Sequence, residues 1–119
     1  MTLVRAATCL SLLLFGCATP REPKPIPYTL TDAEIEAVEN GIRATRHDLS
    51  NPAFNGFRAT RHEGGQIDVC GWVSAHRGSL EHPFIGTLFA GQFAPERFGG
   101  DEGKDAEILY ECKTRRAAI

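Results

Sequence analysis

The clearest pattern of polar and apolar residues in this sequence is a helical one that starts near residue 31. Thr31 and Glu34 have the spacing of a capping box, in which the two residues satisfy free backbone N–H groups at a helix start. Apolar residues such as Val38 and Ile42 then recur at helical spacing. The pattern predicts an amphipathic helix that ends before an Asn-Pro pair, and Gly41 is expected to weaken its middle by about 1 kcal/mol.

An alternation typical of strands follows, over residues 57–62 and 66–74. The Glu-Gly-Gly segment at 63–65 separates the two stretches and favours a turn, so they are predicted to form a hairpin. Successive strand residues point to opposite faces of a sheet, which gives the second strand an apolar face and a mixed one. The apolar face carries Ile67, Val69, Gly71 and Val73, and the mixed face carries Asp68, Cys70, Trp72 and Ser74.

The C-terminal part of the chain suggests further strands. Residues 83–93 are apolar and punctuated by glycine, residues 96–105 form a charged loop, and residues 106–112 alternate again as a last strand. These patterns predict an α+β domain over residues 30–114, with one N-terminal helix packed on a small antiparallel sheet of three or four strands. The tail, residues 115–119, is expected to fray.

The N-terminus has the pattern of an export signal. One basic residue precedes an apolar run at 6–15, which is too short for a transmembrane helix of about 20 residues. The tetrapeptide at 14–17, Leu-Phe-Gly-Cys, resembles the lipobox of bacterial lipoproteins. That resemblance implies a signal peptide at 1–16, cleavage between Gly16 and Cys17, and lipid attachment to the Cys17 thiol. The alternative is an ordinary secretory leader that is cut elsewhere.

A proline-rich segment, residues 17–29, follows the lipobox. Four prolines favour an extended polyproline II tether with a reach of roughly 30 Å. Ala18 stands directly after Cys17, and in enteric lipoproteins a residue other than Asp at this place implies sorting to the outer membrane. The expected location is therefore the periplasmic side of the outer membrane, with the inner membrane as the alternative.

The four cysteines can be assigned by elimination. Cys9 lies in the leader and Cys17 takes the lipid, which leaves Cys70 and Cys112 in a compartment where disulfides persist. We expect these two residues to form a disulfide between neighbouring strands, contributing on the order of 3 to 4 kcal/mol to stability. The alternative, a papain-like nucleophile at Cys70, lacks the wider pattern of a cysteine protease.

Other candidate chemistry is weak. No metal or cofactor is predicted, because no histidine has a close Cys or His partner at ligand spacing and the acidic residues at 101–107 do not follow the EF-hand pattern. No catalytic residue is predicted either, since Ser74, Ser79 and Thr87 lack a nucleophile elbow. The net charge of −2 without a basic stripe excludes nucleic acid as an expected partner.

Aromatic residues are the candidates for contact with a partner. A small sheet can present such side chains to another molecule as well as to its own core, and a possible partner surface includes Trp72, Phe84 and Phe89.

Three segments resemble a group of small uncharacterised envelope proteins of proteobacteria: residues 47–54 (HDLSNPAF), 69–76 (VCGWVSAH) and 83–86 (PFIG). This similarity favours the predicted fold and the disulfide and implies no activity. The function expected is that of a non-enzymatic, membrane-anchored lipoprotein that binds an envelope protein or assists assembly in the periplasm. The alternatives are an inhibitor of an envelope hydrolase such as lysozyme, a structural or stress-related component, and a small hydrolase.

Overall fold

The computed structural model describes residues 25–115 and residue 117. Five strands and two helices follow one another in this order: β1 (Ile26–Tyr28), α1 (Asp32–Thr45), β2 (Ala53–Arg61), β3 (Ile67–Ser74), β4 (Glu81–Phe89), β5 (Gln92–Phe98) and α2 (Glu102–Thr114). The strands form one antiparallel sheet in the order of the chain. Helix α1 covers one face of the sheet, and α2 lies on the other face against β4 and β5.

The predicted fold class is wrong in three respects. The sheet has five strands instead of three or four, a strand precedes the N-terminal helix, and a second helix closes the chain. Residues 106–112, which were predicted to be a strand, belong to α2. The side chain of Asp101 caps this helix by accepting a hydrogen bond of 2.8 Å from the Lys104 N–H.

The predicted start of α1 is confirmed. The Thr31 hydroxyl accepts a hydrogen bond from the Glu34 N–H at 3.2 Å, and the Glu34 carboxylate accepts one from the Thr31 N–H at 2.9 Å. The same carboxylate accepts a hydrogen bond of 2.8 Å from the Tyr28 hydroxyl, which ties β1 to the helix start. Val38 and Ile42 are buried on the face that the pattern predicted to point inward.

The hairpin of β2 and β3 is also confirmed, together with the two faces of β3. Val69 and Val73 join the core under α1, whereas Cys70 points to the opposite face. In the middle of the α1 core, the Phe84 ring makes edge contacts with Phe57 and Phe93 at centroid distances of 6.0 and 6.1 Å. Such aromatic packing favours a well-ordered small core.

A disulfide joins Cys70 of β3 to Cys112 of α2, which confirms the predicted pair. The Cα atoms lie 6.2 Å apart and both residues are buried, in a second core that includes Ile85 and Ile108. Ala117, in the tail expected to fray, is also buried in this core. The disulfide therefore links a strand to a helix, where the sequence suggested two strands.

Strand β1 lies within the range 17–29 for which a tether was predicted. The signal peptide at 1–16, the cleavage site at Gly16 and the lipidation site at Cys17 fall outside the described residues. Within the described part of the chain, neither helix is long and apolar enough to cross a membrane.

Candidate functional site

A cleft of about 340 Å³ lies at one end of the sheet. The segment after α1, the connection between β3 and β4, and the loop before α2 meet there. Its polar lining includes Arg46, Asp48 and His82, and its apolar lining includes Leu49 and Leu80. The volume is near the lower end of the range for sites that bind small ligands or single side chains, about 300 to 1,000 Å³.

The Arg46 guanidinium is fixed in the wall of the cleft. Its Nε and Nη2 atoms donate hydrogen bonds to the two Asp48 carboxylate oxygens at 2.8 and 2.7 Å, and its central carbon lies 4.9 Å from the centre of the Phe98 ring. The hydrogen bonds from Arg46 lower the pKa of Asp48 to about 2. Because this pair is bidentate and stacked, the Arg46 guanidinium is held in a defined orientation.

The His82 imidazole is oriented from the other side by α2. Its Nδ1 lies 3.1 Å from Oδ2 of Asp105, and Oδ1 of Asp105 accepts a hydrogen bond of 3.0 Å from the Gly100 N–H. Asp105 belongs to the first turn of α2, so the Asp101 cap also positions this carboxylate. His82 Nε2 has no hydrogen-bond partner among the residues described and is free to bind a ligand as donor or acceptor.

A second imidazole–carboxylate pair lies at the opposite end of the sheet. His62 Nε2 is 2.7 Å from Oδ2 of Asp68, a carboxylate that is only 4% exposed, and Arg115 approaches the other oxygen at 3.8 Å. Arg115 also binds Glu96 and Glu111 at 2.8 and 2.7 Å. This network connects the β2–β3 hairpin, β5 and α2, and we interpret it as a structural clamp.

The three residues predicted to form a partner surface do not share one. Phe84 is fully buried in the α1 core, so this part of the prediction is wrong. Trp72 is partly exposed and lies against Gly56 of β2, where a bulge with positive φ leaves room for the indole. Phe89 is 58% exposed, but six strand residues, or about 20 Å, separate it from Pro83, the partner of Trp72 on β4.

The residues of the cleft were missed at the sequence level. No motif marks Arg46 after the predicted helix, and His82 lies 23 residues from Asp105, so no local spacing pairs them. Among the described residues, no group of three or more His, Cys, Asp or Glu side chains is placed to hold a metal ion.

The cleft combines the Arg46–Asp48 ion pair, an imidazole with one free nitrogen, and apolar side chains. This combination suits a polar, hydrogen-bonding ligand group beside an apolar body. No protein-family model, curated protein or solved structure matches the chain.

Proposed function

We propose that the protein is a lipid-anchored lipoprotein of the bacterial envelope that binds an envelope protein partner, and that the cleft beside Arg46 and His82 receives a polar segment of that partner. The observation that carries the binding function is the convergence of Arg46 and His82 on one concave, partly apolar site. Convergent polar groups in an apolar recess are typical of binding sites.

Two features support export and anchoring. The lipobox-like segment at 14–17 favours a lipid on Cys17, and the buried Cys70–Cys112 disulfide suits a compartment in which thiols are oxidised. The fold begins at Ile26, so eight residues separate it from the proposed anchor. An extended segment of this length spans about 25 Å, enough to hold the domain beside the bilayer.

The binding site can be tested with a photo-crosslinking amino acid at Leu80, which is 76% exposed at the cleft. The matched control places the same probe at Tyr110, which is 71% exposed on α2 away from the cleft. In cells that export the protein, the Leu80 probe should give a discrete adduct with an envelope protein that the Tyr110 probe does not give. The Arg46→Gln substitution should abolish this adduct without lowering the free energy of unfolding in urea by more than about 1 kcal/mol.

Identical adducts from both probes, no adduct from Leu80, or a Leu80 adduct that survives Arg46→Gln would each contradict binding at the cleft. The anchor has a separate test. Labelled palmitate should be incorporated into the protein and not into its Cys17→Ser variant, and incorporation that persists in the variant refutes Cys17 as the lipid site.

A hydrolase is the second candidate, because an imidazole oriented by a carboxylate is the arrangement of a general base. Against it, the Ser79 hydroxyl in the same cleft is engaged within its own turn, donating to the His76 carbonyl at 2.7 Å and accepting from the His76 N–H at 3.2 Å. Hydrolysis of ester or peptide substrates that His82→Gln abolishes would favour this second function.

A further inference from the structure

The edge of the sheet at β1 combines an exposed apolar side chain with two arginines that have no carboxylate partner among the described residues. We define the β1 edge as Ile26 together with Arg58 and Arg61 of β2. Strand β1 pairs only with the last part of β2, from Ala59 to Arg61, which leaves Arg58 at the open edge of β2. Arg61 is the direct partner of Ile26 and shares its face, whereas Arg58 points to the opposite face, so the two arginines flank the edge from its two sides. Ile26 is 66% exposed and is one of four large apolar side chains that stand out from the described surface.

We propose that the β1 edge docks on the anionic phospholipid headgroups of the bilayer that holds the lipid anchor. This inference rests on the proposed anchor at Cys17 and adds to it a membrane-facing surface and the chemistry that this surface recognises.

The first argument is where the tether enters the fold. Ile26 is the first strand residue, and the segment from the proposed lipid site leads directly into it. Eight residues in a polyproline II conformation span about 25 Å, so the β1 edge is held closer to the bilayer than the far end of the sheet. Because the anchor keeps this surface close to the membrane, the effective concentration of headgroups around it is high, and weak contacts are enough for docking.

The second argument is charge. Four arginines in the described part of the chain form ion pairs with carboxylates: Arg43, Arg46, Arg97 and Arg115. Arg58 and Arg61 are exposed, and no described carboxylate lies within ion-pair distance of either. The tether sequence adds two basic residues, Arg21 and Lys24, against one acidic residue, Glu22.

The carboxylates around this edge do not neutralise the positive charge of Arg58 and Arg61. Glu34 is occupied by the Tyr28 hydroxyl and the Thr31 N–H, and Asp68 is buried under His62. The exposed Glu63, in the turn two residues after Arg61, is the acidic group nearest to that arginine in sequence. An exposed apolar side chain at an edge flanked by unpaired arginines is a composition suited to contact with a membrane surface.

The test uses the full lipidated chain on vesicles of two kinds, one with about 30% phosphatidylglycerol and one of phosphatidylcholine alone. Backbone hydrogen exchange is measured for β1 and for the outer part of β2. We expect exchange at the β1 edge to slow by at least about fivefold on the anionic vesicles, because each arginine near an anionic surface shifts the docked population by roughly that factor. The protection should disappear at about 1 M salt, where the Debye length falls to roughly 3 Å.

Two variants make the test specific. The pair Arg58→Gln and Arg61→Gln should lose the protection, whereas Arg77→Gln should keep it. Arg77 is equally free of carboxylate partners, but it lies in the β3–β4 connection at the opposite end of the sheet. Equal exchange on the two kinds of vesicle, or an equal loss in Arg77→Gln, would overturn the docking proposal.

Flotation of the same vesicles separates this proposal from the anchor. Protein that floats with the vesicles but shows no protection refutes the docking surface and leaves the anchor intact. Protein that fails to float refutes the anchor, and the docking proposal falls with it.

Discussion

Replacing Gly41 by alanine is the most direct test of how α1 packs on the sheet. Helix α1 passes over β5 at Gly41, where an added Cβ would lie 2.6 Å from the Phe93 carbonyl oxygen and 3.1 Å from the Phe93 Cβ. The first of these distances is shorter than real Cβ contacts permit, and the atom that is met belongs to the backbone of β5. The helix or the strand must therefore move to accept the methyl group.

Two effects of opposite sign determine how much Gly41→Ala changes the free energy of unfolding. Alanine is favoured over glycine in a helix interior by about 1 kcal/mol. Overpacking a close contact costs roughly 1 to 3 kcal/mol, and a rigid backbone partner places this site in the upper part of that range. We therefore expect Gly41→Ala to lower the free energy of unfolding by about 1 to 2 kcal/mol, with a fall in Tm of about 4 to 8 °C per kcal/mol.

Urea unfolding of Gly41→Ala beside Gly103→Ala measures the packing effect. Gly103 lies in the first turn of α2, where a Cβ would meet only the Asp101 side chain at an ordinary 3.4 Å. Gly103→Ala is expected to raise stability by up to about 1 kcal/mol. If Gly41→Ala raises the urea midpoint as Gly103→Ala does, the close approach of α1 to β5 is refuted.

Three further predictions concern the disulfide, an ion pair and a helix cap. Replacing Cys70 and Cys112 together by alanine should lower the free energy of unfolding in urea by about 3 to 4 kcal/mol, and a loss below about 1 kcal/mol would contradict a stabilising role. The Asp48 carboxyl should titrate near pH 2 by NMR, and in Arg46→Gln its pKa should return toward 3.8. Because the folded pKa is lowered, the ion pair's contribution is complete above about pH 4 and disappears as the pH falls through about 2, whereas an unshifted titration would refute the pairing. Glu34→Ala should cost about 1 kcal/mol and speed hydrogen exchange in β1, and unchanged exchange would show that β1 is held without this side chain.

The parts of the fold that the sequence predicts correctly depend on local signals. Thr31 and Glu34 meet within one turn of helix, and the Gly-Gly pair at 64–65 lies between two alternating stretches. Both glycines adopt positive φ, which glycine tolerates without strain. Where the interacting residues are close in sequence, their spacing alone identifies the structure.

The last helix shows why alternation can mislead. Residues Ala106, Ile108, Tyr110 and Cys112 occupy alternate positions, as in a strand, yet Tyr110 is exposed on α2 while Ile108 and Cys112 are buried. A spacing of four residues is shared by one face of a strand and one face of a helix, so the buried pair satisfies both patterns. The deciding signal is the cap at Asp101, which lies in a segment that looked like a charged loop.

The cleft could not be predicted from the sequence, because its groups come from three distant segments. Arg46 follows α1, His82 lies near the start of β4 and Asp105 lies in the first turn of α2, and only the order of strands in the sheet brings them together. The role of Gly41 could not be predicted for a similar reason. Helix propensity identifies this glycine as destabilising, whereas in the fold it allows α1 to approach β5 closely.

The disulfide also matters for the cleft. Helix α2 buries few side chains, chiefly Ile108 and Cys112, and its ion pairs to β5 are largely exposed, so each contributes little. The covalent bond to Cys70 therefore adds a strong attachment of α2 to the sheet, beside the packing of Ile108 and the ion pairs of Arg115. Because Asp105 on this helix orients the His82 ring, release of α2 would also free the imidazole in the cleft. Formation of the disulfide would thus fix the geometry of the cleft as well as stabilise the fold.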